Sequence, residues 1–207
     1  MPPLLHPRLA REHLAQLTLP ADVAHRRAIL AGWITRLRSG ELADKTEVQL
    51  HGAFLMGVFG EVLGYRTFTN APADGHYDLD AEVALGPAAK KVDGALGYFG
   101  GLSRHIVAPL ELKGASQSLD TRKGRDRTPV EQAWEYASLA PESRWILVSN
   151  YDETRLYSKA RGWDAYEVFR LEELDSDAGF RRFYGLLARA TCCWAPGRAR
   201  RARSTRS

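Results

Sequence analysis

Only two cysteines occur in the 207 residues, and they stand side by side as Cys192 and Cys193. Adjacent thiols suit neither a disulfide framework nor a spaced zinc or iron–sulfur site, so cysteine chemistry does not organise this chain. Long apolar runs are missing too: none approaches the roughly 20 residues that a membrane span needs. The N-terminus, MPPLLHPRLAREHL, meets proline, histidine and arginine before an apolar stretch can develop. It therefore does not read as a secretory signal, and a cytoplasmic location with no membrane partner is expected. None of the six histidines is spaced with another as a metal-binding pair, and Ser149 and Ser158 lack the His and Asp context of a nucleophile. The last 17 residues contain no acid. They hold Arg198, Arg200, Arg201, Arg203 and Arg206, whose combined charge exceeds the net +4 of the whole chain, so the remainder is slightly acidic. The pI near 9.2 is thus a tail effect, and a nucleic-acid reading has to rest on local features.

What is present is ordinary for one globular unit: 44% hydrophobic and 26% charged residues, in a chain too short for two independent enzyme domains. Apolar residues at three-and-four spacing predict a helix over 22–38, with Gly40 as its stop. A second helix is predicted from Asp44 to Leu63, closed by Gly64. Short strands are expected at Tyr65–Thr69 and around Asp80–Leu85. KVDGALGYFGG and HIVAPLELKG then read as an antiparallel hairpin turning at Gly100, Gly101 and Ser103. Thr128, Pro129 and Glu131 form a complete helix start signal for a helix reaching Ala140. WILVSNY (145–151) and TRLYS (154–158) read as strands, Tyr166–Leu171 as another, and Ala178–Arg189 as a last helix. This interleaving predicts an α/β fold with a mixed central sheet flanked by helices. The division expected is a helical extension at 1–40, a core at 41–190 and a disordered Arg-rich tail at 191–207.

Within APLELKG, Glu111 and Lys113 are two apart and share one strand face, while Leu110 and Leu112 take the other. Asp93 lies 18 positions before Glu111, on the partner strand of the hairpin. Two converging carboxylates make a hard oxygen site suited to magnesium or manganese, which completes its shell with water and substrate phosphate. That is phosphodiester chemistry, with the lysine placed to orient an attacking water.

VDGALG followed by APLELKGA resembles the D…ExK signature of the PD-(D/E)xK nuclease superfamily. TPVEQAWEYA and WILVSNYDETRLYS are similar to the continuation in the N-terminal nuclease region of type IIG restriction-modification enzymes. The resemblance covers most of residues 20–190. It implies a restriction-endonuclease-like (αβββαβ) core and a Mg2+-dependent DNA endonuclease acting on double-stranded DNA. It also implies Asp93 and Glu111 as metal ligands with the Leu112 carbonyl as a third, and Lys113 as the catalytic lysine. The family's helix carboxylate is expected at Glu47, with Glu61 the alternative on a similar face. Gln132 and Tyr136 match a Gln-x-x-x-Tyr element of RecB-like nucleases that contacts lysine, metal water or a DNA phosphate. The loop SLDTRKGRDRT offers Arg122, Lys123, Arg125 and Arg127 to DNA phosphates.

In its usual setting such a region is fused to an adenine methyltransferase and a target-recognition module, neither of which this sequence contains. The ending TCCWAPGRARRARSTRS breaks from the preceding amphipathic pattern and reads as a truncated or frameshifted end. The chain is therefore expected to be a fragment of a nuclease–methyltransferase fusion. A catalytically nonproductive DNA-binding remnant and a RecB-like repair nuclease stay open as alternatives. Cutting both strands would call for two active sites, which leaves room for a dimer on DNA.

Overall fold

The glycine pair at 100–101 sits where the chain must reverse, at φ values of +133° and +58° that favour glycine. Around it the chain forms the expected hairpin, with β2 (Lys90–Gly100) antiparallel to β3 (Ser103–Leu112). The structure is a computed structural model that describes residues 3–191 apart from 73, 74, 102, 123 and 125. Cys192, Cys193 and the Arg-rich tail lie outside the described residues, as do Lys123 and Arg125 of the basic loop.

β1 (Tyr77–Leu85) pairs antiparallel with the outer side of β2. β4 (Trp145–Ser149) lies parallel to β3, and β5 (Glu153–Ser158) and β6 (Tyr166–Arg170) continue antiparallel. The result is a six-stranded mixed sheet in the order β1-β2-β3-β4-β5-β6. Its one parallel junction, β3 to β4, needs a crossover connection, and a helix supplies it.

The helices preceding the sheet are α1 (Pro7–Ala15), α2 (Val23–Arg38), the short α3 (Glu41–Asp44) and α4 (Glu47–Phe54), which runs on into a π-helical segment at Leu55–Val62. The crossover helix is α5 (Pro129–Leu139), and α6 (Asp177–Leu187) closes the described chain. From α4 onward the order is thus α, three strands, α, strand, with two further strands and a helix behind. Leu30, Trp33 and Ile34 of α2, Phe54 of α4, Phe59 of the π segment and Phe180 of α6 share one apolar cluster with Leu96, Leu110, Leu112 and Leu147 of the sheet. On the opposite face α5 packs Tyr136 against Val92 and Ala95, and Ala133 and Ala137 against Ile146 and Val148.

The start of α5 follows its local chemistry. The Thr128 hydroxyl accepts from the Glu131 N–H at 3.1 Å, the Glu131 carboxylate accepts from the Thr128 N–H at 2.7 Å, and Pro129 occupies the first turn.

Two expectations are corrected. The helix expected from Asp44 to Leu63 is broken at Lys45, whose backbone is extended, and restarts at a Thr46/Gln49 capping box; its second half is π-wound, with the Leu63 N–H reaching back five residues to the Val58 carbonyl. The strand expected at Tyr65–Thr69 is instead a connection ending in a 3-10 turn at Phe68–Asn70. Side-chain bonds outcompete pairing there: the Asn70 side chain caps the Thr67 N–H at 2.6 Å, and Arg66 is drawn to the fully buried Asp78 at 2.8 Å. Strand β1 also begins earlier than expected, at Tyr77.

Between Leu96 and Gly97 the β2–β3 register slips, and a Cβ at Gly97 would overlap the His105 carbonyl. Gly97→Ala is therefore expected to lower unfolding stability by about 1–3 kcal/mol in urea titrations. Gly101→Ala, where open space surrounds the Cβ, should cost less despite its positive φ.

Candidate active site

The antiparallel register that pairs Gly94 with Leu110 sets Asp93 across from Glu111 on the neighbouring strand. Past the register slip, period-two alternation sorts the end of β3 from Ala108 onward. Leu110 and Leu112 are fully buried in the cluster beneath α2 and α4, while Val148, the parallel partner of Glu111, belongs to the cluster beneath α5. Glu111 and Lys113 accordingly stand on the α5 side of the sheet. Both are nearly out of water, at 1% and 3% exposure, and the Lys113 ammonium contacts Glu111 Oε1. Buried charge of this kind persists only where it is paired.

Asp93 is more open, with its side chain 25% exposed. Its Oδ2 accepts the Leu112 N–H at 2.7 Å, so the backbone of β3 itself orients the carboxylate. Leu112 thus reaches the site through its main chain while its side chain lies in the core. Just beyond the strand, the Gly114 N–H donates to Glu47 Oε1 at 3.1 Å, which brings the first turn of α4 to the end of β3. Glu61 goes elsewhere. Its side chain is 59% exposed and faces His25 at 3.6 Å, because it sits within the π-wound segment, whose winding breaks the four-turn spacing that an ideal helix would give.

From α5, Gln132 donates to the Tyr136 hydroxyl at 2.8 Å. Burial pushes the Tyr136 phenol above its usual range; the Gln132 bond opposes this, while the negative charges of Glu111 and Asp93 add to it. Tyr136 is therefore electrostatically part of the site. The basic loop is less free than its composition implies. Arg122 pairs with Glu131 at 3.0 Å, and Arg127 pairs with Glu135, which also holds Lys90. These pairs are largely exposed and so weak enough for a phosphate to displace.

Two residues were not singled out by sequence. His51 lies one turn after Glu47, with Nδ1 3.7 Å from Asp93 Oδ1. Tyr151, at the end of the segment read as a strand over 145–151, lies past the strand's end at Ser149; it is 1% exposed and holds a left-handed backbone at φ +70°, uncommon for a bulky side chain. Burial, then Glu47, then Asp93 raise its phenol well above the usual tyrosine range. The Glu47/His51 spacing of four was the available signal for the first. Nothing local marked the second.

The donor chemistry fits a divalent cation of the magnesium type. Asp93 and Glu111 supply hard oxygens from adjacent strands, and such ions normally take one or two protein carboxylates and keep water for the rest. Among the described residues no group of three or more His, Cys, Asp and Glu forms a full protein cage.

Tyrosines held protonated make stability pH-dependent. With the folded value of Tyr151 raised, its contribution is complete below about pH 10, the unfolded value, and is lost as pH climbs toward the folded one, because the unfolded chain releases its proton first. Tyr151→Phe should therefore flatten the alkaline fall in urea-measured stability above about pH 10. Tyr157, pushed up to about 12 mainly by burial, supplies slope that remains in the variant.

No family model and no curated protein matches the sequence. A solved structure, the cryo-EM structure of a DrdV–DNA complex, is similar over 76% of this chain and 96% of that one, with 15% identity and a TM-score of 0.46, a likeness too loose to assign a role to any residue.

Proposed function

We propose that the protein is a nuclease domain with a restriction-endonuclease-like core, hydrolysing DNA phosphodiester bonds with Mg2+ or Mn2+. The observation that carries this reading is the placement of Asp93 across from Glu111, with buried Lys113 on the same strand face as Glu111. The sequence resemblance of these residues to a D…ExK signature supplies the substrate class.

In this reading Asp93 and Glu111 hold the cation, with the Leu112 carbonyl available beside them. When bound, the cation would neutralise charge on the phosphate and lower the pKa of the attacking water. Lys113 orients the water or the scissile phosphate with its ammonium, which its contact with Glu111 holds on that side of the strand. Glu47 braces the end of β3 through the Gly114 N–H and can accept a hydrogen bond from the water. Tyr136 and Gln132 form a polar wall on the α5 side, and Arg122 and Arg127 reach flanking phosphates on double-stranded DNA once released from their acidic partners. Lys123 and Arg125 belong to the same proposed loop. Double-strand cleavage would bring two chains together on one duplex, and target choice would come from a methyltransferase or specificity module.

Supercoiled plasmid incubated with purified protein tests this. Nicking is expected with Mg2+ and not with EDTA, and Asp93→Ala, Glu111→Ala and Lys113→Ala should each lower the rate at least about 100-fold, the scale set by loss of transition-state charge stabilisation. Magnesium-dependent nicking that survives Glu111→Ala would sink the proposed site. Salt-sensitive DNA binding without nicking would point instead to a binding remnant.

The loop makes a separate prediction. Arg122→Ala and Arg127→Ala should weaken DNA binding alike across sequences and reduce the salt dependence by about one phosphate contact each, measured by fluorescence anisotropy in EDTA.

A further inference from the structure

Helix α4 is fixed at its start by the Thr46/Gln49 capping box, and one of its faces meets the ends of β2 and β3. Glu47 and His51, four apart, share that face: Glu47 takes the Gly114 N–H and His51 Nδ1 confronts Asp93 Oδ1. Asp93 is thus approached at both oxygens, Oδ2 by the Leu112 N–H at 2.7 Å and Oδ1 by the imidazole at 3.7 Å. The second distance is longer than a hydrogen bond, and contacts of this kind commonly tighten when a site takes its ligand.

The far side of the ring is unusual. His51 Nε2 and the Tyr151 hydroxyl are both buried and have no hydrogen-bond partner among the described residues. Buried polar atoms left unmatched by protein are exceptions that call for an explanation. The two rings lie 6.3 Å apart, so the unmatched atoms belong to neighbouring side chains, one of which meets Asp93 through its other ring nitrogen. Tyr151 is itself wedged by Phe54 at 5.0 Å and Trp33 at 6.0 Å, and with its left-handed backbone it forms a rigid wall behind the imidazole.

We infer that His51 is a positioning residue for the cation site: through Nδ1 it steers the Asp93 carboxylate from the α4 side, while the Leu112 N–H steers it from β3. The inference rests on the cation-dependent reading above and extends it to a residue outside the D…ExK signature. Groups that hold a metal-binding carboxylate in place govern cation affinity by about 10- to 100-fold when removed.

The test reads Mg2+ binding directly, by isothermal titration calorimetry on the full chain without DNA. Wild type should bind and Asp93→Asn should not. His51→Leu should weaken binding by about 10- to 100-fold. Asparagine places its amide nitrogen near the Nδ1 position and glutamine near Nε2. His51→Asn should therefore recover most of the affinity and His51→Gln should not, with circular dichroism and thermal melts run on each variant to separate folding from binding. A merely structural histidine would change melting temperature and leave the Asn and Gln variants with equal Mg2+ affinity, which would overturn the inference. So would wild-type affinity in His51→Leu. Both of those results leave the nuclease reading standing. If wild type takes up no Mg2+ at all, the two readings fall together.

Discussion

A carboxylate and an ammonium, both nearly stripped of water on one face of β3, set the terms for the rest of this molecule. Removing one partner from such a buried pair typically costs about 3–5 kcal/mol, and replacing both by hydrocarbon is often neutral or better. The Glu111–Lys113 pair is therefore poor value as a stabiliser. Its presence in the middle of the sheet demands that the surrounding structure be stiff enough to hold two charges together. That stiffness comes from the opposite face of the same strand, where Leu110 and Leu112 are locked into the large apolar cluster, and from β2 and β4 on either flank.

The parallel junction is where these demands meet. Because β4 runs alongside β3 in the same direction, the chain must cross over the sheet between them, and α5 does so on the side that carries Glu111 and Lys113. The crossover roofs the charged pair and brings Tyr136 and Gln132 to it. Meanwhile the antiparallel partner β2 contributes Asp93 at the margin, where it remains partly open to solvent. One side of the site is thus dry and fixed and the other wet and accessible.

Much of this was legible in the sequence wherever local chemistry decides the outcome. The 90–112 hairpin announced itself through its glycines and alternation, and α5 through its capping box. Strand periodicity set Glu111 and Lys113 on one face, the hairpin set Asp93 on the partner strand, and the resemblance to a D…ExK signature singled the three out. What escaped depended on distant partners. The 65–69 stretch has strand-like residues, yet Arg66 answers to Asp78 and Asn70 to Thr67, so the backbone bonds from the Asp78 and Leu79 N–H groups to the Arg66 carbonyl do not extend into a ladder. His51 reads as an isolated histidine until β2 is folded against α4. Tyr151 carries a backbone conformation that no composition rule predicts for an aromatic residue. The basic loop looked free because its acidic partners, Glu131 and Glu135, sit on the following helix, where Glu131 was already explained by capping.

The π-wound stretch from Leu55 to Val62 has a consequence for how this chain can vary. Such a segment holds more residues per turn than the α-helix before it, so it shifts the phase of its own apolar face relative to the face of α4. Upstream of it the α4 face looks to the strand ends; within it, Phe59 and Val62 look into the core. Loops absorb an inserted or deleted residue by changing length, but a helix converts it into rotation, about 100° for each residue. An indel within 55–62 would leave every side chain of the D…ExK signature in place and turn Glu47 and His51 away from them. Among relatives of this chain, the length of that segment should therefore be held more tightly than its composition.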